Sequence, residues 1–459
     1  MMYIFLVALL LAKVSADYPE PPPIFQANEH TEWSASEVGK SRRAAIHVDF
    51  TNPAGEADAI DMYRVDLVGD SKERGFAHGA LMAQEIREFM LTKLPEYYAS
   101  MLPGDFIAGL PPQIAKLAEK GLEHKTTEFF EAAMWWVYGQ EEQYMEQELV
   151  DEMEAMGAGI CAGLGGSCNT TQWVQQIKTV NMLPELVRMA CTAFGAWGEA
   201  TANTKNPGGL IQVRALDFGG GPFVNYTLIA TQRSDDGQSW VDVKFPGLVG
   251  SITGVSQSGV GISEKVFMVS DNDRGKNMQW GKYDGVPDVF ALRHILEYSK
   301  TRTDAELYLR SITRTFAIFM GIGDYASQKF DLVSYKREAV KVYDDQSINE
   351  VTSMPVIKDV TYVDKHPQPS GDPSLPQVLQ DLYGDLSMEN TRIATQYHGT
   401  GDVHIAAYDY TDRQMIVSIG RVNCEGNYYP TEDNSDEKVW MAFNRPFLQF
   451  DLDELFEGK

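Results

Sequence analysis

The sequence predicts a layered α+β protein in which helices cover strands that fall into two groups. Residues 112–164 carry apolar side chains at intervals that are mostly three, four or seven, which is typical of helices. After Cys191 the pattern changes to short apolar segments separated by glycine-rich turns, which is typical of strands. Further helical segments lie between these strands, and this arrangement favours sheets that are covered by helices.

The chain begins with features of a secreted protein. Residues 2–12 form an apolar segment that is too short to span a bilayer, and small residues at a cleavage spacing follow it. We therefore expect a signal peptide over residues 1–16 and a mature chain that starts near Asp17, with a membrane anchor as the alternative. Two glycosylation sequons, at Asn169 and Asn225, agree with a secretory route. No later segment is apolar for long enough to predict stable membrane insertion.

The individual elements follow from the periodicity along the chain. The proline-rich residues 17–28 should be extended and loosely packed, an alternating strand starts at Tyr63, and a helix follows from about Met82. The proline-rich residues 344–376 are interpreted as a long surface connection. Strands are predicted at residues 211–218, 226–232, 239–245, 259–265, 329–333, 339–343, 404–410 and 414–420, and helices at residues 287–299, 303–310 and 376–383.

Composition and charge limit the classes of partner. A hydrophobic content of 44% with 23% charged residues is ordinary for a globular chain. The 65 acidic residues against 39 basic ones give a formal net charge of -26, which argues against nucleic acid as a partner and disfavours anionic membranes. Such a surface suits a lysosome or vacuole and suits secretion equally well.

Four cysteines are too few for a disulfide scaffold in a chain of 459 residues. Cys161 and Cys168 are close enough in sequence to close a small loop in an oxidising compartment. Cys191 and Cys424 are then either free or paired with each other. No second pair of cysteines or histidines follows at ligand spacing, so we predict no metal site.

Several short motifs resemble one known family. Cys191 opens the run CTAFG, which is followed by VRALD at residues 213–217, PGLVG at residues 246–250 and GVSQSGVGIS at residues 254–263. This order resembles the N-terminal-nucleophile (Ntn) cysteine hydrolases. Within them the chain is most similar to the penicillin acyltransferase-like peptidase group (C45), with acid ceramidase, N-acylethanolamine amidase, bile-salt hydrolase and phospholipase B-like proteins as relatives. The upstream LVGDSKERGFAHG at residues 67–79 is similar to the pro-segment signature of that group.

The resemblance implies a four-layered αββα sandwich that is made as an inactive precursor. The precursor would cut its own Ala190–Cys191 bond, which divides the mature chain into a helix-rich pro-segment, residues 17–190, and a catalytic chain, residues 191–459. Cys191 would then carry both the nucleophilic thiol and a free α-amine. An amine with an unperturbed pKa of about 7.7 to 8.0 can serve as the general base without a histidine.

The same resemblance gives Arg214 and Asp217 roles beside the nucleophile. Arg214 would lie near the sulfur and favour the thiolate, and Asp217 would hold the new ammonium group by a hydrogen bond. A spacing of three residues places these two side chains on opposite faces of a regular strand, so a strand-end ion pair is the alternative interpretation.

The sequence indicates less clearly which groups would donate hydrogen bonds to the oxyanion that forms when the cysteine attacks a carbonyl. Ser256 occupies the position at which the relatives commonly carry an asparagine, and its hydroxyl or a backbone amide could replace that donor. Asn390, Arg392 and His398 are further candidates, each with a structural turn as the alternative. His404 is interpreted as a residue on a strand face.

The sequence therefore predicts an autoproteolytically activated amidase that cleaves a linear amide, such as a ceramide or an N-acylethanolamine, through a Cys191 acyl-enzyme. A phospholipase B-like esterase and a non-catalytic secreted protein are the alternatives. We expect no cofactor, a small-molecule or lipid amide as substrate, and a pro-segment that stays bound to the catalytic chain.

Overall fold

The computed structural model describes residues 18–52, 55, 57–94, 127–166, 168–186, 190–218, 221–266, 283–315, 318–422 and 439–459. Within these ranges the fold consists of two large sheets that pack face to face, with helices on both outer sides. The predicted α+β class and its αββα layering are confirmed. None of the helices in the described ranges has both the length and the apolar character that crossing a bilayer requires.

The strands of the described ranges form a seven-stranded sheet in the order β1-β19-β16-β15-β6-β5-β14, a ten-stranded sheet in the order β13-β12-β11-β10-β9-β8-β7-β4-β3-β2, and the pair β17-β18. Their bounds are β1 Ile24–Gln26, β2 Thr31–Val38, β3 Ser41–Thr51, β4 Ala57–Gly69, β5 Ala190–Gly198, β6 Gly208–Asp217, β7 Leu228–Ser234, β8 Trp240–Lys244, β9 Thr253–Ser256, β10 Val260–Val266, β11 Ile318–Asp324, β12 Lys329–Tyr335, β13 Val340–Tyr343, β14 Val360–Val363, β15 His404–Asp409, β16 Gln414–Ile419, β17 Arg421–Val422, β18 Val439–Trp440 and β19 Phe447–Asp451.

The helices flank these sheets in two groups. Their bounds are α1 Ser71–Leu81, α2 Ala83–Glu88, α3 Thr127–Glu141, α4 Gln147–Leu164, α5 Thr170–Val180, α6 Leu183–Leu186, α7 Asp288–Tyr298, α8 Arg302–Ser311, α9 Ser374–Asp381, α10 Thr391–His398 and α11 Leu452–Glu457. Helices α7 and α8 pack on the ten-stranded sheet, whereas α9 and α10 share an apolar cluster with the outer face of the seven-stranded sheet. Part of the predicted helical segment, residues 112–126, lies outside the described residues.

Strands β5 and β6 lie at the centre of the packing between the sheets. They form an antiparallel hairpin and contact β10, β11 and β12 of the opposite sheet. Gly195 of β5 has no Cβ, and this allows Phe330 of β12 to approach closely, because a Cβ at that position would lie 2.2 Å from the Cβ of Phe330. Side chains from both sheets therefore meet in the middle of the molecule, where β5 and β6 pass.

The N-terminal part contains more strand than we predict from the sequence. Strands β2 and β3 precede the predicted strand, which is β4, and all three extend the ten-stranded sheet through the parallel pair β4–β7. Strand β1 pairs with β19, so part of the proline-rich segment belongs to a sheet rather than being loosely packed. The second half of β3 does alternate, with Ile46 and Val48 buried and His47 and Asp49 exposed, so its sequence carried a strand signal that was missed. Strand β3 pairs with β2 on one side and with β4 on the other.

The predicted surface connection at residues 344–376 is a second correction. Strand β14 lies within it and pairs with β5, and Val360, Thr361 and Tyr362 are fully buried. Four residues are too few to show periodicity, and the flanking prolines conceal the strand. This edge strand brings Asp364, which is also fully buried, close to the start of β5.

Two residues of the LVGDSKERGFAHG motif join helix α1 to the part of the chain after Cys191. Arg74 of α1 is buried and donates from Nη2 to Glu297 Oε1 of α7 at 3.0 Å. The ring of His78 accepts at Nε2 from the backbone N–H of Gly247 at 3.2 Å. Helix α1 also lies against α4, where a Cβ at Gly159 would lie 2.0 Å from the Phe76 carbonyl oxygen.

Candidate active site

Cys191 is the second residue of β5, directly after the Ala190–Cys191 bond that the sequence marks for cleavage. In the hairpin register Cys191 lies opposite Leu216, so Arg214, two residues away, shares its face of the sheet. Cys191 is fully buried, and its Sγ lies 3.2 Å from Nη2 of Arg214. The structure thus brings these two predicted residues into direct contact.

Arg214 crosses the gap between the two sheets. From Nη2 it donates to Glu264 Oε2 at 2.8 Å, and from Nε to the Glu264 carbonyl at 3.2 Å. Its Nη1 lies 2.9 Å from His404 Nε2 on β15. The Cys191 Sγ is also 3.6 Å from Glu264 Oε2. Arg214 is fully buried, so these partners replace the water that its guanidinium would otherwise bind.

The electrostatics of this cluster keep the cysteine as a thiol in the intact chain. Burial raises the pKa of the Cys191 thiol, and this outweighs the opposite effect of Arg214. Burial also raises the pKa of Glu264, against the attraction of Arg214. The pKa of His404 lies well below its ordinary value, because of burial and of the neighbouring Arg214, so its ring is neutral and accepts a hydrogen bond at Nε2.

Asp217 lies on the opposite face of β6 and pairs in register with Ala190. Its carboxylate accepts hydrogen bonds from Thr400 Oγ1 and, at 2.7 Å, from the backbone N–H of Gly401. Thr400 Oγ1 also lies 2.8 Å from the hydroxyl of Thr192, the residue after the cysteine. Asp217 therefore belongs to a network beside the Ala190–Cys191 bond rather than to an ion pair with Arg214.

The four predicted oxyanion donors lie apart from the cysteine contacts. The Ser256 hydroxyl accepts from the backbone N–H of Val260 at 3.1 Å and closes the β9–β10 turn, at the end of β10 that is remote from Glu264. Asn390 donates to the Asp385 carbonyl, and Arg392 donates to the Glu389 carbonyl, both at 2.8 Å. These three side chains stabilise turns and helix ends.

His398, the fourth, ends α10 and belongs to a different cluster. Asp364, His366 and His398 each offer a ligand atom, and these three atoms lie within 4.8 Å of one another. Of the described residues, this is the group that has the donors and spacing to hold a metal ion.

Sequence reasoning missed Glu264, Lys265 and the contact of His404 with Arg214. Glu264 and Lys265 are adjacent charged residues inside an otherwise uncharged strand, and both are buried. A charged pair in such a strand signals buried partners, since charged groups are buried at low cost only when they are paired. The Lys265 Nζ donates to the His366 carbonyl at 3.4 Å, and its pKa is lowered by burial.

An apolar cavity lies next to the cysteine cluster. Its cavity volume is only about 30 Å³ in the intact chain, and its walls come from both the N-terminal part and the part after Cys191. The lining residues are Phe89, Met90, Leu94, Val180, Leu183, Pro184, Phe223, Phe245, Pro246, Leu248 and Ile252. The ring of Phe245 lies 5.8 Å from the ring of His404, so one side chain separates this cavity from Arg214.

The remaining predicted sites lie on the N-terminal helices and nearby loops. Cys161 and Cys168 form a disulfide, and Cys191 is a free cysteine among the described residues. The asparagines of both sequons, Asn169 and Asn225, are exposed. Cys424 lies outside the described residues.

Comparison with known proteins identifies relatives whose similarity covers most of this chain. No protein-family profile matches the sequence. Protein dcd1B of Dictyostelium discoideum is 31% identical over 412 residues, which cover 87% of this chain and 76% of that protein. Protein dcd1A of the same organism is 30% identical over 417 residues, which cover 85% of each chain.

Solved structures show weaker likeness. A Caenorhabditis elegans N-acylethanolamine-hydrolyzing acid amidase ortholog is 16% identical, with 48% of this chain and 92% of that chain covered and a TM-score of 0.38. Penicillin V acylase from Agrobacterium tumefaciens is 10% identical, with 59% and 89% covered and a TM-score of 0.31.

Proposed function

The chain belongs to the family of the Dictyostelium discoideum proteins dcd1A and dcd1B, and from the site described above we propose that it is an amide hydrolase whose nucleophile is Cys191. The observation that carries the proposal is the contact of 3.2 Å between the Cys191 sulfur and the buried Arg214 guanidinium, immediately after the Ala190–Cys191 bond. A cation this close to a sulfur favours its thiolate, although burial keeps the thiol protonated in the intact chain.

The intact chain is the inactive precursor in this proposal. Its thiol is buried and protonated, and the nitrogen of Cys191 is an amide without basicity. Hydrolysis of the Ala190–Cys191 bond releases an α-amine at the same residue and frees the chain before it to move away from the sulfur. The amine then serves as the general base for the thiol. Asp217, which pairs in register with Ala190, would accept a hydrogen bond from the resulting ammonium.

The reaction proceeds through an acyl-enzyme. The Cys191 sulfur attacks the carbonyl carbon of the substrate, and its proton passes through the α-amine to the leaving nitrogen as the C–N bond breaks. Water then attacks the thioester, and the carboxylic acid and the free thiol are released. Arg214 supplies positive charge in a site of low polarity, where such charge acts most strongly on the developing oxyanion.

The apolar cavity supports an acyl lipid as substrate. Its walls consist of apolar side chains, and one side chain separates it from Arg214. Burial of a methylene group is worth about 0.8 kcal/mol. The cavity of about 30 Å³ in the intact chain does not hold a whole acyl chain, so the lining side chains must move apart when the substrate binds. We therefore propose an N-acyl lipid of the ceramide or N-acylethanolamine type as the substrate class.

The N-terminal segment stays bound after cleavage in this proposal. The parallel pairing of β4 with β7 crosses the cleavage point, as do the ion pair of Arg74 with Glu297 and the hydrogen bond of His78 with Gly247. The segment also supplies part of the cavity wall. Loss of the segment would expose a sheet edge and a large apolar surface.

We propose that the protein follows the secretory pathway and works either in a lysosome or vacuole or outside the cell. The Cys161–Cys168 disulfide and the exposed sequon asparagines support a secretory route. The carboxyl groups of Glu141, Glu185 and Asp288 are buried together, and this arrangement is more stable at low pH.

Maturation and turnover can be tested together. Wild type should separate into two fragments on a denaturing gel, the second with Cys191 as its N-terminus, and should release acid from an N-acylethanolamine. Cys191→Ala should remain intact and lose at least about a thousandfold in kcat/KM, since it lacks the nucleophile. Ser258→Ala, in the β9–β10 turn, is the matched control and should behave as wild type.

A lysophospholipid measured in parallel distinguishes amidase from esterase, and the proposal expects faster turnover of the amide. Active protein that consists entirely of the uncut chain would overturn the mechanism. Fragments that also form in Cys191→Ala would show that another protease makes the cut.

A further inference from the structure

The cluster of Asp364, His366 and His398 has the donors of a metal site. Its three ligand atoms lie within 4.8 Å of one another, and they come from the loop after β14 and from the end of α10. Asp364 and His398 are buried, whereas 40% of the His366 side chain is exposed. One carboxylate oxygen and two imidazole nitrogens are a donor set that Zn²⁺ favours. We propose that these three residues bind a zinc ion, although the sequence predicts no metal.

His398 provides the second, independent observation. Its Nδ1 lies 2.6 Å from Ser374 Oγ, whose hydroxyl donates to Asp372 Oδ1 at 2.7 Å. The Ser374 oxygen therefore accepts the proton of Nδ1, and this leaves Nε2 with a lone pair. That Nε2 has no hydrogen-bond partner, although the residue is only 6% exposed. A buried acceptor of this kind is costly unless it binds a ligand.

The other two ligands are oriented in the same way. The Asp364 carboxylate accepts from Gln368 Nε2 at 2.6 Å and from Ser370 Oγ at 2.5 Å, and these bonds fix its orientation. His366 Nδ1 lies 3.0 Å from Asp364 Oδ2 and 3.6 Å from Asp372 Oδ2. Asp372 or a water molecule can thus complete a tetrahedral set, and the exposed edge of His366 gives the ion a route in from solvent.

The ion would act on the position of the cysteine network rather than on the substrate. Lys265 donates to the His366 carbonyl at 3.4 Å, and Lys365 donates to the Gly399 carbonyl. Gly401, three residues after His398, donates to Asp217. A bound zinc ion would therefore link the loop after β14 to the turn after α10, whose Gly401 donates to Asp217. This role is independent of whether the chain hydrolyses amides.

Zinc binding is measured directly on metal-stripped full-length protein, with Zn²⁺ as the probe. Calorimetric titration and elemental analysis after dialysis should give one zinc ion per chain for wild type. His398→Gln and His366→Gln should each raise the zinc dissociation constant at least about tenfold, and Ser374→Ala, which removes the partner of Nδ1, about 10- to 100-fold. His47→Gln, an exposed histidine on β3, is the control and should bind as wild type.

Folding is checked by circular dichroism of each metal-free variant. His366→Gln changes a partly exposed side chain, so it tests the proposal even if His398→Gln does not fold. The proposal is overturned if wild type binds no zinc, or if His366→Gln and Ser374→Ala bind it as tightly as wild type. These measurements do not depend on catalysis, so an inactive protein that binds zinc refutes only the proposed hydrolase function.

Discussion

The buried carboxyl cluster should make the protein less stable as the pH rises, and Glu141→Gln should remove part of this effect. Glu141 of α3 is fully buried, and Glu185 and Asp288 lie beside it. Burial, followed by repulsion from these two carboxylates, raises the pKa of Glu141 well above its ordinary value. Glutamine has nearly the shape of protonated glutamate and carries no charge at any pH.

The magnitude follows from proton linkage. In the unfolded chain Glu141 titrates near a pKa of about 4.3. Between that value and the raised pKa of the folded state, the folded chain holds one more proton than the unfolded chain. The free energy of unfolding therefore falls by about 1.4 kcal/mol for each pH unit in this window. The contribution of Glu141 to stability is therefore fully present at pH values below its pKa in the unfolded chain. It is lost as the pH rises through its pKa in the folded chain.

The assay is urea unfolding of wild type and Glu141→Gln at several values between about pH 4 and pH 7. The two proteins should be nearly equal at the acidic end, and the variant should gain about 1.4 kcal/mol over wild type per pH unit above about pH 4.3. Glu389→Gln, at an exposed position, is the control and should show no such growing difference. A Glu141→Gln advantage that is constant across this range would refute the reasoning.

Three further substitutions test the packing of the site. Arg214→Met should lower the free energy of unfolding by about 3–5 kcal/mol, because Glu264 is left buried without its partner. In urea unfolding, the double variant with Glu264→Gln should recover part of this loss. Equal losses in the single and double variants would contradict the pairing. Gly195→Ala should lower the free energy of unfolding by about 1–3 kcal/mol, measured by thermal unfolding, because its Cβ would lie 2.2 Å from a side-chain atom of β12. Gly139→Ala, with open space around it, is the control and should not lower this free energy. Phe223→Leu enlarges the apolar cavity, so kcat/KM for a substrate with an acyl chain one methylene longer should rise up to about fourfold relative to wild type. If kcat/KM depends on chain length in the same way in the variant and in wild type, this cavity is not the acyl site.

Periodicity within each segment predicted many of the elements after Cys191. The predicted strand at residues 404–410 is β15, His404–Asp409, and the predicted helix at residues 287–299 is α7, Asp288–Tyr298. Both signals are local, because an alternating or helical pattern is set by which face of one element is buried. Strand β14 escaped prediction because four residues between proline-rich segments carry too little pattern.

The sequence by itself determined where the cysteine lies, that Arg214 and Asp217 follow it on one strand, and that these two point to opposite faces. Only the tertiary structure decided their partners. Glu264 reaches Arg214 from the other sheet, 50 positions along the chain, and His366 meets His398 because the loop after β14 lies beside the end of α10. Contacts of this kind depend on how whole sheets and helices pack, and the local periodicity of a sequence carries no record of that packing.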